Sequence, residues 1–189
     1  MIYCLYGEND YEMNKFINNI IKENNINDKI IYDYKENEIE NIINDALYND
    51  LFQNKKVIIV NDSHFLTSKS TLESKYLDNY INNPNENTIL IFKNYTEKLD
   101  ERKKIVKDLK KKGIFKEFPL VNSSNIYNYI KNYFIENNYK IDNESINEIV
   151  NRLVDNPRVI NNELEKLIIY KINEKEINID DVKKCIIAY

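Results

Sequence analysis

The sequence predicts an α/β domain built on a parallel sheet, followed by a small helical bundle. Over roughly the first two-thirds of the 189 residues, short runs of branched and aromatic residues alternate with helical stretches. That is the pattern of strands linked by right-handed helical crossovers. After Pro119 the period changes: apolar residues recur at helical spacing and no convincing strand follows. The chain holds only 2 Gly and 3 Pro, which argues against long structureless loops and for abundant helix.

Five strands are expected, at Ile2–Tyr6, Lys29–Tyr32, Val57–Val60, Thr88–Phe92 and Ile114–Phe118. Each is a short continuous apolar run, as in strands buried on both faces. Helices are expected between them near 11–24, 37–49, 71–82 and 98–112. In the last of these Ile105 and Leu109 stand four apart beside Val106, and Gly113 occupies the C′ position. Beyond Pro119 come three helical stripes: Ile126, Ile130, Tyr133 and Phe134; then Ile146, Ile149, Val150 and Leu153; then Ile160, Leu164, Leu167 and Ile168. Asp142 is placed to cap the second, with Ile141 and Ile146 as a hydrophobic staple. Val182, Cys185 and Ile186 suggest a last short helix. The division falls near residue 120, giving domains over 1–120 and 121–189.

Composition narrows the functional classes. Hydrophobic residues make up 42% and charged residues 31%, the balance of a globular protein. Asparagine is about one residue in six but is scattered among apolar positions. We therefore read it as the codon bias of an AT-rich genome rather than as a prion-like tract. The net charge of −4 and pI near 5.3 argue against a strongly basic nucleic-acid binder acting alone. Cys4 and Cys185 form no spacing pattern and read as buried thiols in a reducing compartment. With no signal segment or long apolar run, the expected location is the cytoplasm, with no membrane partner.

The strand Met1–Tyr6 runs into Gly7 and then a helix, where nucleotide-binding folds keep a phosphate loop. A working loop reads G-x-x-x-x-G-K-[ST], which would place Gly-Lys-Ser/Thr at 12 to 14. The chain has Glu12, Met13 and Asn14, with carboxylates at Glu8 and Asp10 that repel phosphate. The strand Val57–Val60 is followed by Asn61-Asp62 rather than Asp-Glu, the usual metal-holding pair. No catalytic residue, cofactor or metal ligand is expected. His64, the only histidine, reads as a polar loop residue. An α/β domain of this kind with a helical domain behind it is the outline of the AAA+ (P-loop NTPase-like) module, here with a degenerate nucleotide site.

Two surface features remain. Asp50-Leu51-Phe52 closes a helix just before the Val57 strand. On local physics the apolar pair either folds back on the core or stands exposed as an anchor for a partner's pocket. The basic residues Arg102, Lys103, Lys107, Lys110 and Lys111 form either a solvated helix face or a face near DNA phosphates.

The opening Ile2-Tyr3-Cys4-Leu5-Tyr6-Gly7-Glu8-Asn9-Asp10-Tyr11 is similar to the N-terminus of the delta subunit of bacterial DNA polymerase III, a clamp-loader subunit. Asp50-Leu51-Phe52 with Lys55–Val60, Thr88–Phe92, Leu99–Lys104 and Asn162–Leu167 follow in that family's order. The resemblance implies an AAA+-like domain, a small lid-type helical domain and a helical collar, the collar being absent here. It implies a non-catalytic subunit that binds and opens the sliding clamp (the beta subunit), works with other clamp-loader subunits and with DNA within the complex, and leaves ATP hydrolysis to its partners. It favours Leu51 and Phe52, preceded by Asp50, as the clamp anchor. Clamp-binding motifs often carry Gln where this chain has Leu47. Arg158 matches the nucleotide-sensing arginine of active AAA+ relatives and reads as structural here. Two alternatives stand beside this expectation: an active AAA+ ATPase, and a stand-alone DNA-binding replication accessory protein.

Overall fold

The computed structural model describes residues 1–52 and 54–187, and the chain divides into two compact units, Met1–Pro119 and Leu120–Tyr189. The first unit is a five-stranded parallel sheet of β1 (Ile2–Gly7), β2 (Asp28–Asp33), β3 (Lys56–Asn61), β4 (Thr88–Tyr95) and β5 (Ile114–Phe118), in the order β2-β3-β4-β1-β5. Its helices are α1 (Asp10–Glu23), α2 (Ile39–Leu47), α3 (Lys75–Asn82) and α4 (Lys104–Lys112). Alternate side chains of the inner strands serve two cores. Cys4, Ile58, Val60, Leu90 and Phe92 pack with α2, α3 and α4. Leu5, Val57, Ile59, Ile89 and Ile91 pack with Met13, Ile17 and Ile20 of α1. The result is the three-layer arrangement that parallel sheets require, with helices on both faces.

All five strands lie where the apolar runs place them, but two are not buried on both faces. β2 and β5 are the sheet edges, and most of their residues are exposed or half-buried. Charged residues such as Lys29, Lys116 and Glu117 stand along these edges, as is usual where a strand must not recruit another chain. Three helices are shorter than expected. α2 stops at Leu47 because Tyr48 is extended (ψ 133°). α3 starts only at Lys75, its Ser74 hydroxyl accepting from the Leu77 N–H at 3.4 Å. α4 starts at Lys104 because Asp100 folds 100–103 into a turn, accepting from the Arg102 N–H at 3.1 Å. Gly113 ends α4 with an extended φ of −111°, not a left-handed one. Glycine suits it because a Cβ there would lie 3.1 Å from the Ile2 carbonyl oxygen.

The second unit contains α5 (Ile126–Glu136), α6 (Asn143–Leu153), α7 (Ile160–Tyr170) and α8 (Ile179–Cys185). Their stripes converge on a core that includes Ile130, Phe134, Ile149, Leu153, Leu164, Leu167 and Val182. Asp142 caps α6 as expected, accepting from the Ser145 N–H at 2.7 Å. Asn178 and Asp181 form a capping box on α8. The expectation of no strand here is corrected by β6 (Lys140–Ile141) and β7 (Glu176–Ile177), which pair in parallel as a separate two-stranded sheet. Two residues per strand are too few to print an alternation on the sequence.

Cys4 is fully buried in β1, whereas Cys185 is only half-buried, which corrects the expectation for the second thiol. Burial pushes the Cys4 thiol far above its ordinary range; at Cys185 burial raises it, and so does nearby Asp181. Alkylation by iodoacetamide at pH 8 is expected to modify Cys185 first, with Cys4 reacting only after denaturant is added. Intact-mass spectrometry checks this, and simultaneous modification of both would contradict it.

Candidate functional site

The place of the phosphate loop is closed by the protein's own backbone. β1 ends at Gly7 and α1 begins at Asp10, so Glu8 and Asn9 alone connect them. The Asn9 N–H donates to the Phe118 carbonyl at 3.0 Å. The Asn9 side chain, itself buried, accepts from the Glu12 N–H at 3.2 Å and so occupies the start of the helix, where a phosphate would be held. Gly7 sits at φ +135°, and a Cβ built on it would lie 2.0 Å from the Phe118 oxygen. Met13, at the position of the loop lysine, is fully buried against the sheet. Lys93 of β4, which reaches this helix start, is held by Asp10 at 2.6 Å and by the Asn14 side chain at 2.7 Å.

The Asp62 carboxylate, which follows β3, is paired with Lys35 at 2.7 Å. His64 packs edge-on against Tyr34 with Nδ1 2.8 Å from the Asp62 carbonyl. Among the described residues no three His, Cys, Asp or Glu side chains gather as a metal site. Arg158 lies in a 3₁₀ turn, Pro157–Val159, at the start of α7.

Past the end of α2 the chain makes an apolar tip. Leu51 is 96% exposed and Phe52 83% exposed, and Leu47 and Tyr48 beside them are exposed as well. Single exposed apolar side chains are common on protein surfaces, whereas four within the six residues 47–52 are unusual. The core alternative for Leu51 and Phe52 is therefore overturned, and so is their placement on the helix itself: they stand in a turn after it. Asp50 shapes that turn, accepting from the Asn54 N–H at 2.9 Å and from its side-chain amide at 2.8 Å. Sequence reasoning did not single out Tyr48, because the helix expected over 37–49 contained it, whereas α2 ends one residue before it.

The basic residues are dispersed and mostly engaged within the fold. Arg102 is held by Asp100 at 2.9 Å, which keeps the Asp100 carboxyl at about 2. Lys103 donates to the carbonyls of Phe65 and Ser70. Lys110 meets Glu101 at 2.6 Å and Lys111 meets Asp108 at 3.5 Å. Lys107 is exposed on α4. Exposed pairs of this kind are weak and can be exchanged for other partners.

Residues 3–119 match the family described as DNA polymerase III, delta subunit. The chain belongs to this family. A curated relative, DNA polymerase III subunit delta of Bacillus subtilis (strain 168), is 27% identical over 195 residues, covering 96% of this chain and 55% of its own length. The solved structure of the Bacillus subtilis DNA clamp loader delta protein matches with a TM-score of 0.71 at 26% identity, over 100% of this chain and 58% of that one. The delta-family chain thus spans a little over half the length of both relatives. Thermotoga maritima RuvB (TM-score 0.61, 13% identity, 97% of this chain and 60% of that one) shares the fold. So does domain III of Thermotoga maritima DnaA (TM-score 0.51, 15% identity, 98% and 84%). The architecture is the AAA+ one. Among the described residues no helix is long and apolar enough to cross a membrane.

Proposed function

We propose that this delta-family chain is the clamp-engaging part of a clamp-loader subunit, acting through binding energy and without catalysis of its own. The observation that carries the proposal is the almost complete exposure of Leu51 and Phe52 on a turn shaped by Asp50. Two such side chains entering an apolar pocket contribute on the order of 3–6 kcal/mol before association costs. Binding of that kind opens a ring only by favouring its open form over its closed one. The partners on this reading are the ring-shaped sliding clamp, the other loader subunits and, within the assembled complex, DNA. Residues 1–120 serve as the AAA+-like body and 121–189 as the lid-type domain, in the cytoplasm where replication occurs. Titrating the purified chain with the sliding clamp of the same organism in a calorimeter is expected to give a saturable isotherm. A flat isotherm at micromolar concentrations would refute the proposal.

The closed phosphate loop supports the non-catalytic half of the proposal. Equilibrium dialysis with labelled ATP and magnesium is expected to show no saturable uptake. A micromolar dissociation constant would favour an active ATPase instead.

A further inference from the structure

Lys56 is 7% exposed at the start of β3, an unusual burial for a lysine. Its Nζ donates to the Asp45 carbonyl at 2.5 Å and to the Tyr48 carbonyl at 2.7 Å, and it lies 5.4 Å from the centre of the Tyr48 ring. Asn85 sits in the turn before β4. Its side-chain amide donates to the Ala46 carbonyl at 3.1 Å, the Leu47 carbonyl at 3.3 Å and the Asn49 side chain at 2.8 Å. The buried Thr88 hydroxyl donates to the Ala46 carbonyl at 2.9 Å. A helix leaves its last carbonyls without partners inside the helix. Here the carbonyls of 45, 46, 47 and 48 are all taken up by side chains from two strands and a turn, and a cation is set against the negative end of the helix dipole.

From this geometry we infer that Lys56, with Asn85 and Thr88, is a positioning group for clamp binding: it fixes the end of α2, and so presents the Leu51–Phe52 turn in one arrangement. The inference rests on the clamp-binding proposal above. Two exposed apolar side chains on a loose loop must be ordered before they can enter a pocket, and that ordering reduces affinity. The Asp50–Asn54 bonds define the turn itself, while the Lys56 group ties its root to the rigid sheet. None of the three positioning side chains needs to touch the partner.

The test uses Lys56→Met, which keeps length and removes the donors, and Thr88→Val, which removes one hydroxyl at constant shape. Each is measured by hydrogen exchange of peptides covering 44–52 and by calorimetry with the sliding clamp, beside the Leu51→Ala/Phe52→Ala double variant. Lys56→Met is expected to speed exchange of residues 44–52 at least about tenfold relative to β4, and to weaken clamp binding at least about fivefold. Thr88→Val should move both in the same direction by less. Unchanged exchange in Lys56→Met would overturn the positioning role. So would faster exchange with unchanged clamp affinity, provided that the double variant has lost binding. If the double variant binds like the parent, the clamp-binding proposal itself falls and takes this role with it.

Discussion

On the clamp-binding proposal, Leu51→Ala with Phe52→Ala is expected to abolish measurable clamp binding while leaving the melting temperature of the chain within about 1–2 °C of the parent. Truncating one large anchor in a preformed pocket commonly costs at least about 2 kcal/mol. Losing two therefore weakens binding by roughly a thousandfold, beyond calorimetric detection for a micromolar complex. Stability is spared because both side chains are already in water, at 96% and 83% exposure. Exposed substitutions away from special backbone geometry stay within about 0.5 kcal/mol. Calorimetric titration against the clamp, paired with thermal melts of both proteins, checks the outcome. Clamp affinity that survives the double substitution would remove the anchor role. A sharp fall in melting temperature would mean that the pair supports the fold.

Gly7→Ala is expected to lose far more stability than the same change at Gly113, the other glycine of the chain. The new Cβ would lie 2.0 Å from the Phe118 oxygen and 2.5 Å from its carbonyl carbon, at a φ of +135° that L-residues avoid. Neither neighbour is the flexible end of a side chain, since both belong to the backbone of edge strand β5. Backbone strain and overpacking each contribute about 1–3 kcal/mol, so the sum is on the order of 3 kcal/mol or more. For a chain of this size that is a drop of roughly 6–12 °C. Gly113→Ala is the internal comparison. Its nearest contacts are 3.1 Å and its φ is negative, so it should lose much less. Thermal unfolding of both variants decides the matter, and equal melting temperatures would refute the account.

The central strands were legible because burial on two faces writes a continuous apolar run, as in Val57-Ile58-Ile59-Val60, that few other structures require. The departure from the phosphate-loop pattern is legible from Glu12, Met13 and Asn14. What was not legible is how tightly it is closed, because the Phe118 carbonyl over Gly7 depends on where β5 ends in space. Helix starts were misplaced where a side chain competes with the helix for backbone donors, as Asp100 does ahead of α4. The exposure of Leu51 and Phe52 could not be read locally, since an apolar pair beside a helix end is equally compatible with a core. The engagement of Lys103 was hidden for a related reason: its partners Phe65 and Ser70 lie 38 and 33 residues away in the sequence.

The two-residue link between β1 and α1 also bears on whether this fold could regain a nucleotide. Writing Glu12→Gly, Met13→Lys and Asn14→Thr into the chain would reproduce the letters of a phosphate loop without making one. The new lysine would take over the fully buried position of Met13, inside the first turn of a helix that already starts at Asp10. A working loop would need extra residues inserted after Gly7, release of the Asn9 bond to Phe118 and displacement of the end of β5. A two-residue link therefore cannot become a phosphate loop by point substitution: backbone must be inserted before there are amide groups to surround a phosphate.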